Sequence, residues 1–359
     1  MKSLRDVFAP TACILAIVAG ALWYARDPNF NECWLRFSYR GGWLRFSYRG
    51  GSPAKSLPII SVNRLDWSAD GRTLLALSRG DVGPDGPLVV HDLAGGRFPV
   101  EIDDPQPASI ALSPDGRDVL VGLSHGQLLR IRLESQHREC LLELPRSIGF
   151  PALAVSPDGR LAAAGASDGR IFMLSLRDGA PRLVLQGNPS SVSNLRFSLD
   201  ARRLVSAVTD GSVDIWDLAR GRRDQTFAAH PEPAMAAIFL PGDRQIMTAG
   251  MDDTVRIWNI ADGREEWRGC FDCRGVTTLA LSPDGKTVAW SGQCRKIIAW
   301  DLQFSRKKFE IATPALAVLQ LAYSPDGKSL AAGGVDATIR LYDAQTGLER
   351  PGLEAATSF

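Results

Sequence analysis

Histidine is scarce in this chain of 359 residues: there are four, His91, His125, His137 and His230, and their scatter offers no metal-ligand spacing. No H-E-x-x-H pattern, glycine-rich phosphate loop or supported pair of carboxylates occurs. Charge of one sign is also lacking. The 41 basic and 40 acidic residues leave a net charge of +1, so nothing steers the chain toward nucleic acid. Basic clusters at Arg202–Arg203, Arg220 to Arg223 and Arg306 to Lys308 fall at turns and read as solvated faces. Six cysteines are present, Cys13, Cys33, Cys140, Cys270, Cys273 and Cys294. Cys270 and Cys273 make a C-x-x-C pair, but without the βαβ context of a redox motif or a second pair for zinc. Gly122-Leu123-Ser124-His125-Gly126 matches G-x-S-x-G, which in hydrolases needs a strand, an elbow and a helix. The residues that follow, QLLRIRL, read as a strand, so the match is a turn. These absences leave no catalytic, cofactor or metal site to assign, and the chain reads as a non-enzyme.

What the sequence has is a repeat. Ser-Ala-Asp-Gly at 68–71 returns as Ser-Pro-Asp-Gly at 113–116 and 156–159, as Ser-Leu-Asp-Ala at 198–201 and Leu-Pro-Gly-Asp at 240–243, and as Ser-Pro-Asp-Gly at 282–285 and 324–327. The intervals are 45, 43, 42, 42, 42 and 42 residues. A fixed period of this length marks units that bury their faces on one another.

The fourth unit shows what each contains. Leu195 and Phe197 alternate with polar residues and end a strand at Ser198. Asp200-Ala201 is a turn, where most sister units carry Pro-Asp-Gly. LVSAV is a second strand, Thr209-Asp210-Gly211 a tight turn, SVDIWDL a third strand and RRDQTFA a polar fourth. Four antiparallel strands per unit make one blade of a propeller. The fold expected is all-β: a seven-bladed β-propeller of four-stranded antiparallel blades over residues 62–359, preceded by an N-terminal apolar helix.

The details resemble the WD-repeat family. Trp216-Asp217, Trp258-Asn259, Trp300-Asp301 and Tyr342-Asp343 recur at one offset from the turn motif, and Asp168, Asp210, Asp252 and Asp336 at another. The first three units depart, with His91, Ile131 and Leu174 in place of the family's Trp. The resemblance implies a clamp in which a His before each first strand meets the Asp of the second turn. Carried over residue by residue, it pairs His230 with Asp252, joined by Thr248 and Trp258. It pairs Asn188 with Asp210, joined by Ser206 and Trp216, and Arg146 with Asp168 as a salt bridge. The second unit shows the pair reversed, Asp103 or Asp104 with His125, and the seventh, with Pro314 and Asp336, breaks the pattern. In the sixth, Cys294 takes the Asp position and Cys273 lies one residue from the His position. These two are expected to be bonded or close enough to bond, with Cys270 as the competitor for Cys273.

Residues 7–25, VFAPTACILAIVAGALWYA, carry no charge and follow Lys2 and Arg5. Two readings stand. One is a membrane anchor that leaves the positive flank in the cytoplasm and the propeller outside it. The other is a signal peptide cleaved near Ala19-Gly20-Ala21, leaving a secreted or periplasmic protein. Residues 1–30 are thus an anchor or signal segment. Residues 31–61 are a linker with an exact tandem copy, WLRFSYRGG at 34–42 and 43–51.

The family resemblance implies a protein-interaction scaffold with other proteins as partners; residues 7–25 are expected to reach the membrane, and the balanced charge points to no nucleic acid. The alternative is an enzyme or small-ligand-binding propeller with a site at the mouth of the central channel. The innermost strands, mostly apolar and small, argue against it. Contacts are expected from loops leading into the first strands and from the second turns, where Phe150, Met235, Met251 and Arg274 are the exposed candidates. The ring is expected to close with the C-terminal LERPGLEAA as the outer strand of the last blade, residues 43–56 being the rival.

Overall fold

The computed structural model describes residues 39–40, 43–44, 61–79, 88–92, 96–100, 107–270, 273–336 and 338–350. The expected anchor at 7–25, most of the linker and residues 351–359 lie outside these residues, as do Asp103 and Asp104. No helix among the described residues is long and apolar enough to cross a membrane. The chain divides into two units, Met1–Pro58 and Ile59–Phe359. In the first, Tyr39–Arg40 pairs antiparallel with Trp43–Leu44, so the described residues of the two WLRFSYRGG copies pair with each other.

The second unit is all-β among the described residues. Six antiparallel sheets have four strands each, in simple sequence order, and a further sheet has three. The fifth blade is typical: Ala234–Phe239, Gln245–Gly250, Thr254–Asn259 and Glu265–Cys270. The three-stranded sheet comprises Val318–Tyr323, Ser329–Gly334 and Ile339–Asp343. The expectation of four strands in every sheet is therefore met in six. In the last, one bridge among the described residues extends the ladder, Tyr342 with Glu349, supported by Arg350 N donating to Leu341 O at 2.8 Å. The innermost strands are Ser61–Trp67, Pro107–Leu112, Ala152–Val155, Val192–Phe197, Ala234–Phe239, Val276–Leu281 and Val318–Tyr323. Each ends one residue before the repeated turn motif.

The sequence explains the layering. Second strands such as Leu161–Gly165 (LAAAG) and Ser329–Gly334 (SLAAGG) are small and almost wholly buried, as strands covered on both faces must be. Outer strands such as Glu265–Cys270 alternate half-buried and exposed residues along one solvated edge. Each pair of neighbouring sheets shares an apolar cluster. Val205, Ile215, Phe239 and Ile246 join the fourth and fifth blades, and Val62, Leu65, Ala331 and Ile339 join the first blade to the three-stranded sheet. That last cluster closes the ring.

The repeated turn is a hydrogen-bonded unit. Ser68, Ser113, Ser156, Ser198, Ser282 and Ser324 each donate to the Asp two residues on at 2.6 Å. Each serine oxygen also accepts the backbone N–H five residues on, as in Thr73 N to Ser68 Oγ at 2.9 Å. The next residue turns left-handed, which is why Gly stands there, with Gly71 at φ 69°. The fourth unit holds Ala201 in that conformation at φ 56°.

Innermost strands carry a bulge near their second residue in six sheets, for example between Val192 and Asn194 and between Val276 and Thr278. The bulged hydroxyls tie neighbouring blades together. Ser193 Oγ donates to Ala234 O at 2.5 Å, and Thr277 Oγ1 to Val318 O at 3.1 Å. The next residue on each strand accepts from the following blade: Asn194 Oδ1 from Ala237 N at 3.3 Å, and Thr278 Oγ1 from Leu321 N at 3.1 Å.

Candidate interaction face

Loops entering the first strands and second turns meet at one edge of each blade, and buried polar side chains there need partners. In the fifth blade they form a continuous relay. Trp258 Nε1 donates to Thr248 Oγ1 at 3.0 Å, Thr248 Oγ1 lies 2.9 Å from His230 Nε2, and His230 Nδ1 lies 2.9 Å from Asp252 Oδ1. A neutral imidazole fits every link: Nε2 accepts from the threonine hydroxyl and Nδ1–H donates to the carboxylate. Burial pushes the His230 pKa down, against the pull of Asp252. At Asp252, burial raises the pKa but is outweighed by Thr254 and His230, so it stays below the ordinary carboxylate range. Arg256 closes the network on Asp252 Oδ2 at 2.5 Å.

The fourth blade carries the same parts in two pieces. Asn188 Nδ2 donates to Asp210 Oδ2 at 3.1 Å, and Trp216 Nε1 donates to Ser206 Oγ at 2.9 Å. The third blade corrects the sequence expectation. Arg146 is exposed and makes no ion pair with Asp168, which is held instead by Arg170, two residues away, at 2.8 Å. The nearer cation wins because Arg170, two residues on, is fixed beside the carboxylate by its own backbone N–H donating to Asp168 Oδ1 at 3.2 Å. Asp336 behaves likewise, paired with Arg340 at 2.7 Å.

In the sixth blade Cys273 and Cys294 form a disulfide, with Cα atoms 4.6 Å apart and a sequence separation of 21. Cys140 and Cys270 are free and exposed. Trp290, fully buried, occupies the position of Thr248 and Ser206. It packs in one cluster with Cys273, Met247 and Val255. An apolar ring and a covalent bond thus stand where the fifth blade has a polar relay. The sequence signal was the 42-residue period itself, which sets Trp290 on Thr248.

Of the four contact candidates, three lie together. Met251 packs over Gly275, next to Arg274, and its backbone N–H donates to Pro233 O at 3.0 Å, close to Met235. Arg274 is exposed; Met235 and Met251 are half-buried. Asp253 fixes the join by accepting from Gly275 N. Phe150 is a correction: it is wholly buried, packed edge-on against Phe172 with ring centroids 6.0 Å apart. Its loop folds inward because Phe150 O accepts from the buried Ser109 Oγ at 2.6 Å. Leu316, on the loop entering the three-stranded sheet, is an exposed apolar residue that the broken seventh clamp concealed.

The innermost strands also carry charges that their apolar character masked. Arg64 reaches across the ring to the carbonyls of Pro151 at 3.0 Å and Ser193 at 3.4 Å. Asp66 accepts Leu112 N at 2.8 Å and Trp67 N at 3.0 Å. Arg196 completes the set. Gly122 to Gly126 joins two antiparallel strands, Asp118–Leu123 and Gln127–Arg132, with no helix after it. No group of three or more His, Cys, Asp or Glu able to hold a metal occurs among the described residues.

Residues 179–217, 221–259 and 309–343 match the family model described as WD domain, G-beta repeat. No curated protein matches the chain. Among solved structures 1865 chains resemble it, too many for the likeness to specify an activity. One belongs to "Crystal Structure of Mitotic Checkpoint Complex", with a TM-score of 0.69 and 23% identity over 83% of this chain and 99% of that one. At that identity the likeness concerns fold alone. The matched repeats, the shared turn motif and the antiparallel blades together show WD repeats in a β-propeller arrangement, which supports the WD-repeat propeller family.

Proposed function

We propose that this chain is a non-catalytic protein-interaction scaffold, tethered to a membrane through residues 7–25 with its propeller outside the cytoplasm. The observation that carries the scaffold reading is the patch of Met235, Met251 and Arg274, presented by loops that the His230–Asp252 relay and the Cys273–Cys294 bond hold rigid. Adaptable Met and Arg side chains on a fixed frame are the types enriched where proteins meet. The disulfide supports the location, because such bonds persist outside the reducing cytoplasm. The similar solved chain comes from a multiprotein complex, which is in keeping with a partner-binding role. We further take the three-stranded sheet as a seventh blade whose outer strand is the C-terminal segment LERPGLEAA. The Tyr342–Glu349 bridge supports that segment over residues 43–56.

Affinity capture of the tagged full-length protein from detergent-solubilised membranes tests the proposal. A stoichiometric protein partner in the membrane fraction is expected. Recovery of the chain alone, or only from the soluble cytoplasmic fraction, would count against scaffold and tether respectively. A second reading, a small-ligand site in the central channel, is favoured by Arg64, Asp66 and Arg196.

A further inference from the structure

The innermost strands place three charged residues around the channel: Arg64 and Asp66 on the first blade and Arg196 on the fourth. No other innermost strand contributes a charged side chain, so the set carries one excess positive charge. Their hydrogen bonds are unequal. Both Asp66 oxygens are taken by backbone amides, and Arg64 is committed to two carbonyls across the ring. Arg196 is half-buried, and its only hydrogen-bond acceptor among the described residues is the adjacent carbonyl of Leu195, at 3.3 Å. Most of its five N–H donors therefore have no acceptor among the described residues. Ser193, whose carbonyl Arg64 reaches, lies three residues before Arg196 on the same strand, so the two guanidiniums are held near each other.

We infer that the central channel binds one small free oxyanion, a carboxylate or phosphate, which Arg196 grips directly beside the Arg64 guanidinium that reaches there from the first blade. A planar guanidinium with spare donors matches the paired oxygens of such a group. Electrostatics around these residues point the same way. Burial, with the like charge of Arg196 adding to it, drags the Arg64 pKa down to about 10. Burial pushes Asp66 up despite its amide partners and Arg196, so the one internal carboxylate is a reluctant counter-charge. An anion beside Arg196 would offset the like-charge strain on Arg64. This inference does not depend on the scaffold proposal, which concerns the outer loops.

The test is isothermal titration calorimetry on the full-length protein in neutral detergent. Sodium acetate and inorganic phosphate are titrated separately at constant ionic strength set with sodium fluoride. The result expected is saturation at one site per chain by at least one of the two anions, which also tells carboxylate from phosphate. Arg196→Gln should weaken that binding at least about tenfold, the loss of a charge-assisted hydrogen bond. Arg222→Gln, at an exposed arginine on an outer strand, should leave it unchanged. Asn194→Asp keeps the acceptor for Ala237 N and sets a carboxylate two residues from Arg196 on the same strand face. It should abolish binding and raise the melting temperature, which keeps the idea testable if Arg196→Gln misfolds. Failure of both anions to saturate, equal loss in Arg222→Gln, or unaltered binding in Arg196→Gln and Asn194→Asp would overturn it.

Discussion

Thr248 is the residue on which the fifth-blade relay turns, because its one hydroxyl serves both Trp258 and His230. Thr248→Val keeps the shape and removes the oxygen, leaving two buried ring nitrogens unpaired. The expected loss is about 2–4 kcal/mol, since each unsatisfied buried group costs roughly 1–3 kcal/mol. Ser206→Ala strands only Trp216 and should cost about half as much; urea unfolding of the two variants measures the ratio. The relay also sets a pH dependence. His230 is held neutral with its pKa below the usual value of about 6.5, so the unfolded chain binds that proton more readily. Its contribution is complete above about pH 6.5 and falls as acid protonates the unfolded chain; Asp252, also depressed, adds a second loss at lower pH. His230→Asn, the choice of the fourth blade, should flatten the first of these arms in denaturation midpoints taken between about pH 5 and 8.

At the scale of elements, the repeated turn and the disulfide make separate predictions. Ala201 sits at φ 56°, where five of its six sister units have Gly. Ala201→Gly should raise stability by about 1 kcal/mol, the usual penalty of a left-handed non-glycine. The Cys273–Cys294 bond closes a loop worth about 3 kcal/mol in the chain-entropy model. Cys294→Ser should lower oxidised stability by that order and leave reduced protein little changed, as paired unfolding curves with and without dithiothreitol would read. Equal curves in both conditions would mean that the bridge contributes nothing. These elements also mark where sequence reading stopped. Period and turn chemistry were legible because Ser, Asp and Gly each do a separate job in the turn. The clamp partners His230 and Asp252 were legible because the family resemblance implies a His and an Asp at those two offsets from the turn motif. The innermost bulges were not, since a one-residue shift leaves no mark in an alternating pattern. Phe150 was misread for a related reason: its loop position says surface, and only the hydrogen bond of its carbonyl to Ser109 turns it inward. Arg64 and Arg196 sit in short strands dominated by apolar neighbours, and sequence alone does not say that they share a channel.

For the whole molecule, the ring depends on contacts between its first and last sheets. Val62 and Leu65 pack with Ala331 and Ile339 there, and Glu349 and Arg350 begin to extend the ladder beyond Asp343. Deleting residues 348–359 should lower the melting temperature of the propeller more than deleting 43–56, because the first removes the partner of Tyr342. The reverse order would move ring closure to the N-terminal segment. The central claim is that the rigid loop edge around Met251 is where another protein docks. Its most direct test is the affinity of the partner captured from membranes for the triple variant Met235→Ala, Met251→Ala, Arg274→Glu, measured by surface plasmon resonance. The account predicts at least about a tenfold loss, as for the removal of an interface hot spot, with the melting temperature unchanged. Unchanged affinity in a folded triple variant would contradict it.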